Sequence, residues 1–365
     1  MRILYGVVGE GMGHATRSRV VLRHLLHQGH EVQVVVSGRA HAMLAEEFPH
    51  VRRIHGLALV YGENQVQKRK TFLANLNGLN VGLPDNMKTW FKLVREFEPE
   101  VVISDFESWS YLYGRNRRIP VISIDNMQVI NRCAHGKLLK GHRKPYRLAK
   151  TIVKAKLPGC AHYLVTTFFY PKVRKKRTTL VPPILRDEVL AAKETARDDG
   201  HVLVYQSGES HGALVDVLRS FSDTKFRVYG LRRDLKETET DGNITWRPFS
   251  QTGFIEDLAT SRACIAGGGF SLMGEAVFLG KPMLSVPLVG QFEQTLNALW
   301  LERLNYGLYR KEVTQADVAE LLARSDEFSA ALKGHRQYGN RELFANLDSL
   351  LGQIEFGRGR VTDDA

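Results

Sequence analysis

Two stretches of this chain combine side chains and backbone groups that could bind a substrate and act on it. The first is the glycine-rich turn from Gly9 to His14 (GEGMGH), which carries a carboxylate at Glu10 and an imidazole at His14. Because an imidazole titrates near neutral pH, His14 could take a proton from a substrate hydroxyl. Glu10 is the competing base. A lone histidine in such a turn is otherwise often a packing or phosphate-binding residue.

The second stretch runs from Cys264 to Ala298 and contains three consecutive glycines, Gly267 to Gly269. An apolar strand leads into these glycines, and a helix predicted over 271–279 leads out of them. The unpaired N–H groups and the dipole of that helix would favour a phosphate, and the missing Cβ atoms would let it come close. The alternative is a tight turn that serves only the packing of the helix against the sheet.

Hydrophobic runs place the first turn inside an α/β unit. Residues 2–8 predict a strand, residues 15–27 a helix and residues 31–37 the next strand, so His14 is expected in the connecting loop. The glycines are spaced GxGxG rather than GxGxxG, and no acidic residue ends the second strand. A dinucleotide site of the NAD type is therefore disfavoured.

Two further predicted strands, residues 101–104 and 121–124, end in Asp105 and Asp125. Because the carboxyl ends of parallel strands meet at one edge of a sheet, both carboxylates are expected near His14. Each could instead cap the helix that follows it, and we favour that use for Asp125.

Length and composition limit the class of protein. A chain of 365 residues predicts about two domains, and no apolar run approaches the roughly 20 residues of a membrane-spanning helix. The N-terminus is typical of a strand rather than of a signal peptide. The three cysteines have the spacing of neither a disulfide framework nor a metal site. We therefore expect a cytoplasmic enzyme without a metal.

The net charge of +12 is unevenly distributed, with +18 over residues 1–182 and −6 over residues 183–365. Residues 137–156 hold eight Lys or Arg and no acid and predict a basic amphipathic helix; residues 172–177 are a second basic run. Such a surface could bind an acidic acceptor or an anionic membrane. In the second case the protein would be peripheral on the inner face of the membrane. The alternative is a solvated helix that packs by its apolar side. Nucleic acid is disfavoured because no nucleic-acid-binding motif is present.

A second α/β series begins after the prolines at 182–183 and predicts a second domain. We divide the chain into a first domain over residues 1–182, a second over residues 183–335, and a C-terminal segment over residues 336–365. The C-terminal segment is expected to be a helix that packs back on the first domain, followed by a disordered tail (GRGRVTDDA).

Together these features resemble the inverting nucleotide-sugar glycosyltransferases of the GT-B fold. The turn from Gly9 to His14 resembles the GGTGGH turn of the lipid I N-acetylglucosaminyltransferases. The stretch from Gly269 to Ala298 resembles the signature shared with the UDP-glycosyltransferases: glycine, then glutamate, then a Gly-Pro-like break, then an acid or amide followed by Q-x-x-N-A. The resemblance implies an α/β fold of two Rossmann-like domains that face a cleft.

The resemblance also implies a set of donor-binding residues in the second domain. Glu275 would bind the ribose hydroxyls of the nucleotide, unless it is an ordinary helix-surface glutamate. Gly268, Gly269 and Ser271, at the glycine turn, would bind the diphosphate. The full set is Gly208, Phe249, Phe254, Gly268, Gly269, Ser271, Glu275, Gln291, Glu293, Gln294 and Asn297.

Within this set, Glu293 and Gln294 would bind the donor sugar, and Asn297 would support their loop. Alternatively, Glu293 and Gln294 could cap the start of a helix. Phe249 and Phe254 fall where the relatives place the nucleobase, yet both could belong to the core.

Two departures from the family pattern affect the expected phosphate contacts. Gly267 and Leu272 stand where UDP-glycosyltransferases have a histidine and a serine, which leaves side-chain contacts to the phosphates in doubt. Because Gly267 also replaces the first glutamate of the Glu-x7-Glu pattern of retaining enzymes, the resemblance implies inversion.

The reaction expected from the resemblance is attack of an acceptor hydroxyl on the anomeric carbon of a UDP-sugar, with no cofactor besides this substrate. His14 would be the base, Asp105 would orient it, and Glu10 would be the alternative base. The acceptor could be lipid-linked or anionic. A non-hydrolysing UDP-sugar 2-epimerase is a second interpretation, and a non-catalytic nucleotide- or polyanion-binding protein is a third.

Overall fold

The computed structural model describes residues 1–9, 12–55, 61–62, 65–66, 86–206, 212–232 and 234–363. The chain divides into two compact units. Unit 1 comprises Met1–Val60, Val66–Ile184 and Tyr338–Ala365, and unit 2 comprises Tyr61–Gln65 and Leu185–Gln337.

Unit 1 is built on a parallel sheet of seven strands. Its strands are β1 (Arg2–Val7), β2 (Glu31–Val36), β3 (Val51–Arg53), β6 (Val101–Asp105), β7 (Val121–Asp125), β8 (His162–Thr166) and β9 (Thr178–Val181). Two short strands outside this sheet, β4 (Tyr61–Gly62) and β5 (Gln65–Val66), pair with each other. The order across the sheet is β3-β2-β1-β6-β7-β8-β9. The central strands are nearly continuous apolar runs, which is typical of a parallel sheet covered on both faces.

The helices of unit 1 connect these strands and bury their apolar sides against the sheet. They are α1 (Met12–His27), α2 (Ala40–Ala45), α3 (86–92, continued by a π-helical turn at Leu93–Phe97), α4 (Ser108–Asn116), α5 (Gln128–Arg132), α6 (Arg143–Lys156) and, from the end of the chain, α14 (Arg341–Asp363). A short 3₁₀ helix lies at Gly136–Leu139.

Unit 2 repeats the architecture. Its strands are β10 (His201–Tyr205), β11 (Lys225–Tyr229), β12 (Glu239–Asp241), β13 (Ile244–Arg247), β14 (Ala263–Ala266), β15 (Met283–Ser285) and β16 (Gly307–Tyr309), in the order β12-β13-β11-β10-β14-β15-β16 with only β12 antiparallel. Its helices are α7 (Asp187–Ala192), α8 (Gly212–Arg219), α9 (Gln251–Ala259), α10 (Phe270–Leu279), α11 (Phe292–Arg303), α12 (Gln315–Ala323) and α13 (Ser325–Leu332). The expected α/β fold of two Rossmann-like domains is thus confirmed.

Helix α14 completes the core of unit 1. Leu343, Leu347 and Leu351 are buried in the same apolar cluster as the central strands of that unit. The ring of Phe344 stacks on His24 of α1 at 3.9 Å between ring centroids. The helix continues to Asp363, so the prediction of a disordered tail over most of GRGRVTDDA is wrong.

One boundary differs in a way that matters for the site. Helix α1 begins at Met12, three residues before the predicted start, so His14 lies in the first helical turn and not in a loop. Gly13 lowers helix propensity, which is why the sequence favoured a later start, but the first turn of a helix tolerates such a residue.

Candidate functional site

The fold brings His14 and Asp105 together at the carboxyl edge of the unit 1 sheet. Strand β1 leads directly toward α1, and its last residue, Val7, pairs in register with Asp105 at the end of β6. His14, on the first turn of α1, therefore faces the neighbouring strand end. Its Nδ1 lies 2.9 Å from Asp105 Oδ1, and its side chain stays 22% exposed while that of Asp105 is 1% exposed.

A buried arginine that the sequence did not single out holds the other side of this carboxylate. Arg17 lies one turn after His14 on the same face of α1. Its Nε donates to Asp105 Oδ2 at 2.9 Å, its Nη2 donates to Asp105 Oδ1, and its Nη1 donates to Asn126 Oδ1 at 2.7 Å. The Ser18 hydroxyl also donates to Asp105 Oδ2, at 3.0 Å. Asp105 is thus satisfied in its charged form.

These contacts set the protonation of the pair. Burial alone would raise the pKa of Asp105, but the charge of Arg17 and then the interaction with His14 hold it well below its usual range. Burial and then the charge of Arg17 lower the pKa of His14, against the opposing effect of Asp105. At neutral pH the pair is therefore a carboxylate beside a neutral imidazole. When Nδ1–H donates to Asp105, Nε2 keeps its lone pair and can accept a proton.

The second predicted carboxylate is used differently. Asp125 accepts a hydrogen bond from the backbone N–H of Gln128 at 2.8 Å and from the Ser123 hydroxyl at 2.5 Å. The bond to Gln128 satisfies the N–H of the first residue of α5, which is the helix-capping use favoured for Asp125, although Met127 is the N-cap residue itself. Burial raises the pKa of Asp125 to about 6. Of the two strand-end carboxylates, Asp105 is the one hydrogen-bonded to His14.

In unit 2 the three glycines connect β14 to α10, with Gly269 as the N-cap residue. A Cβ atom on Gly268 would lie 2.6 Å from both the Cβ and the backbone oxygen of Gln294, so this glycine allows the turn to pack against α11. A Cβ atom on Gly269 would meet nothing within 4 Å. The first turn of α10, with Ser271 as its second residue, therefore has open space beside its N-cap.

Glu275 is buried on α10 and is bound by an arginine. The Nε and Nη2 atoms of Arg186 donate to its two carboxylate oxygens at 2.8 and 2.9 Å. Each carboxylate oxygen has two lone pairs, so this bidentate pair leaves acceptor capacity for a further hydroxyl donor. The sequence contained no local signal for Arg186, because it precedes Glu275 by 89 residues.

The residues at the start of α11 brace the glycine turn and the loop before the helix. Gln294 accepts from the backbone N–H of Leu288 at 3.0 Å and donates to Gln291 Oε1 at 3.1 Å. Asn297 donates to the backbone oxygen of Gly268 at 3.2 Å and to Glu293 Oε1 at 2.6 Å. These four predicted residues therefore lie together, and Asn297 connects their loop to the glycine turn.

The two phenylalanines have separate environments. Phe249 follows β13 and is 79% exposed, so it is not a core residue. Phe254 packs edge-on against Tyr205 and Tyr229, at 5.5 and 5.1 Å between ring centroids. Of the other predicted residues, Glu10 and Gly208 lie outside the described part of the chain.

Known proteins share this architecture. The family model described as glycosyl transferase family 1 matches residues 1–325. An uncharacterized glycosyltransferase of Methanosarcina acetivorans is 25% identical over 338 residues, which are 84% of this chain and 85% of that protein. Among solved structures, MurG of Acinetobacter baumannii has a TM-score of 0.60 at 14% identity and covers 96% of this chain and 100% of its own. Phytolacca americana UGT2, complexed with UDP-2-fluoroglucose and pterostilbene, has a TM-score of 0.63 at 13% identity, over 95% and 98%.

These matches confirm the resemblance that the glycine turns indicated. The two structural neighbours show the shared fold, and the family match extends through both units. This chain belongs to glycosyl transferase family 1 and is a glycosyltransferase of the GT-B fold.

Proposed function

We propose that the protein transfers a sugar from a UDP-sugar to an acceptor hydroxyl in a single displacement that inverts the anomeric carbon. The observation that carries this proposal is the hydrogen bond between His14 and Asp105, in which the imidazole of His14 is neutral and partly exposed. A direct displacement needs a base that is unprotonated at the working pH, and this pair supplies one.

In the proposed step, His14 Nε2 takes the proton of the acceptor hydroxyl while the acceptor oxygen forms a bond to the anomeric carbon. The bond from that carbon to the diphosphate oxygen breaks, and UDP leaves with the electron pair. Asp105 orients the imidazole and stabilises its protonated form. Glu10 remains the alternative base.

Unit 2 would hold the donor. The diphosphate fits the open start of α10, where the N–H groups of the first turn and the helix dipole stabilise the leaving group without requiring a metal. The residual acceptor capacity of Glu275 suits the ribose hydroxyls, and the exposed ring of Phe249 suits the uracil base. The braced pair of Glu293 and Gln294 suits the sugar.

Adjacent glycine variants test the donor site. In a thermal-shift screen, a UDP-sugar that is the donor should raise the melting temperature of the wild type, because a ligand that binds only the native state stabilises it. G269A should melt like the wild type without ligand but lose this shift, since its methyl group enters the space proposed for the diphosphate. G268A is the packing control and should lose about 1–3 kcal/mol of stability because α11 must move.

A G269A protein that keeps the full UDP-sugar shift would contradict this placement of the diphosphate. Failure of every UDP-sugar to stabilise the wild type would contradict the UDP donor. Conversion of the UDP-sugar into an epimeric UDP-sugar, without any acceptor, would support the 2-epimerase in place of the transferase.

For the acceptor side we propose an anionic membrane surface that binds α6 and the loop 172–177, together called the basic surface. Residues 126–186 contain 15 Lys or Arg and no Asp or Glu. On α6, Val153 faces the core, whereas Leu148 and Ile152 are 51% and 56% exposed on a shared face. Apolar side chains directed outward beside exposed cations are typical of a helix that lies in a membrane interface.

The loop 172–177 is held by two residues of α5, which packs against α6. Lys175 Nζ donates to Asn131 Oδ1 at 2.6 Å, and Arg132 Nη2 donates to the backbone oxygen of Lys176 at 2.6 Å. Burial, then the charges of Arg132, Lys150 and Lys154 lower the pKa of Lys175, which reflects the proximity of the loop to α6. Among the described helices, none is long and apolar enough to span a bilayer.

Vesicle binding tests the basic surface. The wild type should sediment with phosphatidylglycerol-containing vesicles at low salt and dissociate as salt screens the charges. L148S should bind about ten- to a hundredfold more weakly, because burying one leucine contributes about 1.5–3 kcal/mol. L26S, which changes an exposed leucine on α1, is the matched control and should bind like the wild type. A wild type that ignores these vesicles at low salt rules out the membrane proposal.

A further inference from the structure

Arg17 contacts both members of the proposed catalytic pair. Its side chain is 5% exposed, and its three kinds of nitrogen are all engaged by Asp105 and Asn126. The Nη2 atom also lies 2.7 Å from His14 Nδ1. The guanidinium of Arg17 thus lies between the carboxylate of Asp105, the imidazole of His14 and Asn126, which follows the end of β7.

The short distance to His14 creates a competition for one nitrogen. A guanidinium can only donate, so Arg17 can bond to Nδ1 only when Nδ1 carries no proton. The bond from His14 to Asp105 needs the opposite tautomer, in which Nδ1–H is the donor. Only this second tautomer leaves Nε2 free to take a proton. A protonated imidazole would satisfy Asp105 but would place its charge against Arg17.

Three charged groups face the His14 imidazole from three elements: Arg17 on α1, Asp105 at the end of β6 and Lys156 at the end of α6. Burial and Arg17 lower the pKa of His14 most, and Lys156 adds a smaller effect in the same direction. Asp105 opposes them, but its negative charge is shared with the guanidinium that it binds twice. The carboxylate therefore orients His14 while raising its basicity less than an unshared carboxylate would.

We propose that Arg17 is a positioning residue, which clamps Asp105 against His14 and keeps the imidazole unprotonated, so that the base is available even in mildly acidic conditions. This inference rests on the proposed role of His14 as the base. The planar fork of arginine suits the task because it binds both carboxylate oxygens and still reaches Asn126.

The test is a titration of the His14 imidazole by ¹⁵N-edited NMR, with its signal assigned by its absence from H14Q. In R17Q the positive charge is gone, and the His14 midpoint should move to higher pH. In R17K the charge remains, so the midpoint should stay close to that of the wild type although the fork is lost. R19Q removes the same charge from a partly exposed arginine two residues further on α1 and should leave the midpoint unchanged.

The rate of UDP release from a UDP-sugar supplies the second measurement. Because more His14 is protonated at low pH in R17Q, the ratio of kcat/KM at pH 8 to that at pH 6 should rise about tenfold over the wild-type ratio. If melting temperatures show that R17Q does not fold, the wild type carries the test, because a His14 midpoint at or above the ordinary histidine pKa of about 6.5 would overturn the inference.

An R17Q midpoint equal to that of the wild type overturns the inference, as does an R17K midpoint that moves as far as that of R17Q. A midpoint that moves while the rate profile stays in place contradicts the role of His14 as base, and hence the proposed mechanism, but supports the effect of Arg17 on His14.

Discussion

Replacing His14 with alanine should lower kcat for UDP release by about 10²- to 10⁴-fold, the usual contribution of a positioned general base. The reason is that the acceptor hydroxyl then has no neutral imidazole beside it, whereas the donor turn in unit 2 is untouched. UDP-sugar should therefore still raise the melting temperature of H14A as it does that of the wild type. Kinetics of UDP release and the thermal shift, measured on the same preparation, check both parts.

His27 provides the matched control, because it is an exposed histidine at the other end of α1. H27A should retain the wild-type rate. A value of kcat for H14A within a few-fold of the wild type would refute the role of His14, and Glu10 would become the base to test.

D105N should lose about 3–5 kcal/mol of unfolding free energy at neutral pH, because the substitution leaves the guanidinium of Arg17 buried without its counter-charge. Urea denaturation measures this loss. The pKa of Asp105 is depressed in the folded protein, so its stabilisation is present above the unfolded-state pKa near 4 and fades as the pH falls. The difference between the wild type and D105N should therefore shrink below about pH 4.

D125N is the control for this prediction. Asp125 is equally buried, on the neighbouring strand, but its pKa is raised, so burial already disfavours its charged form. An asparagine keeps an oxygen that can accept from the backbone of Gln128. D125N should therefore cost clearly less stability than D105N at neutral pH. Equal losses for the two variants would contradict the charge pairing of Arg17 with Asp105.

The sequence was informative where a signal is local. Apolar runs followed by glycines predicted β1, β14 and the turns after them, because a strand end and a glycine turn each depend on a few consecutive residues. The carboxylate at the end of β6 could be placed near His14 because parallel strands end at one edge. The short strands β8 and β9 carried no separate prediction, since each is flanked by basic and proline-containing segments.

Long-range pairs could not be predicted in this way. Arg17 meets Asp105 across 88 residues, and Arg186 meets Glu275 across 89 residues. Neither arginine has a distinctive neighbour in the sequence, and a guanidinium is usually exposed. Their positions depend on which strands become neighbours, and that information lies in the whole topology.

The contribution of α14 to the core of unit 1 has a consequence for biosynthesis. A ribosome that has finished residues 1–184 has made every strand of the first large sheet but none of Leu343, Leu347 and Leu351, which cover part of it. While the whole of unit 2 is being synthesised, the nascent first half therefore carries an uncovered apolar surface. Domains generally fold in the order of their synthesis, but here the core of unit 1 is completed only after unit 2 has been synthesised.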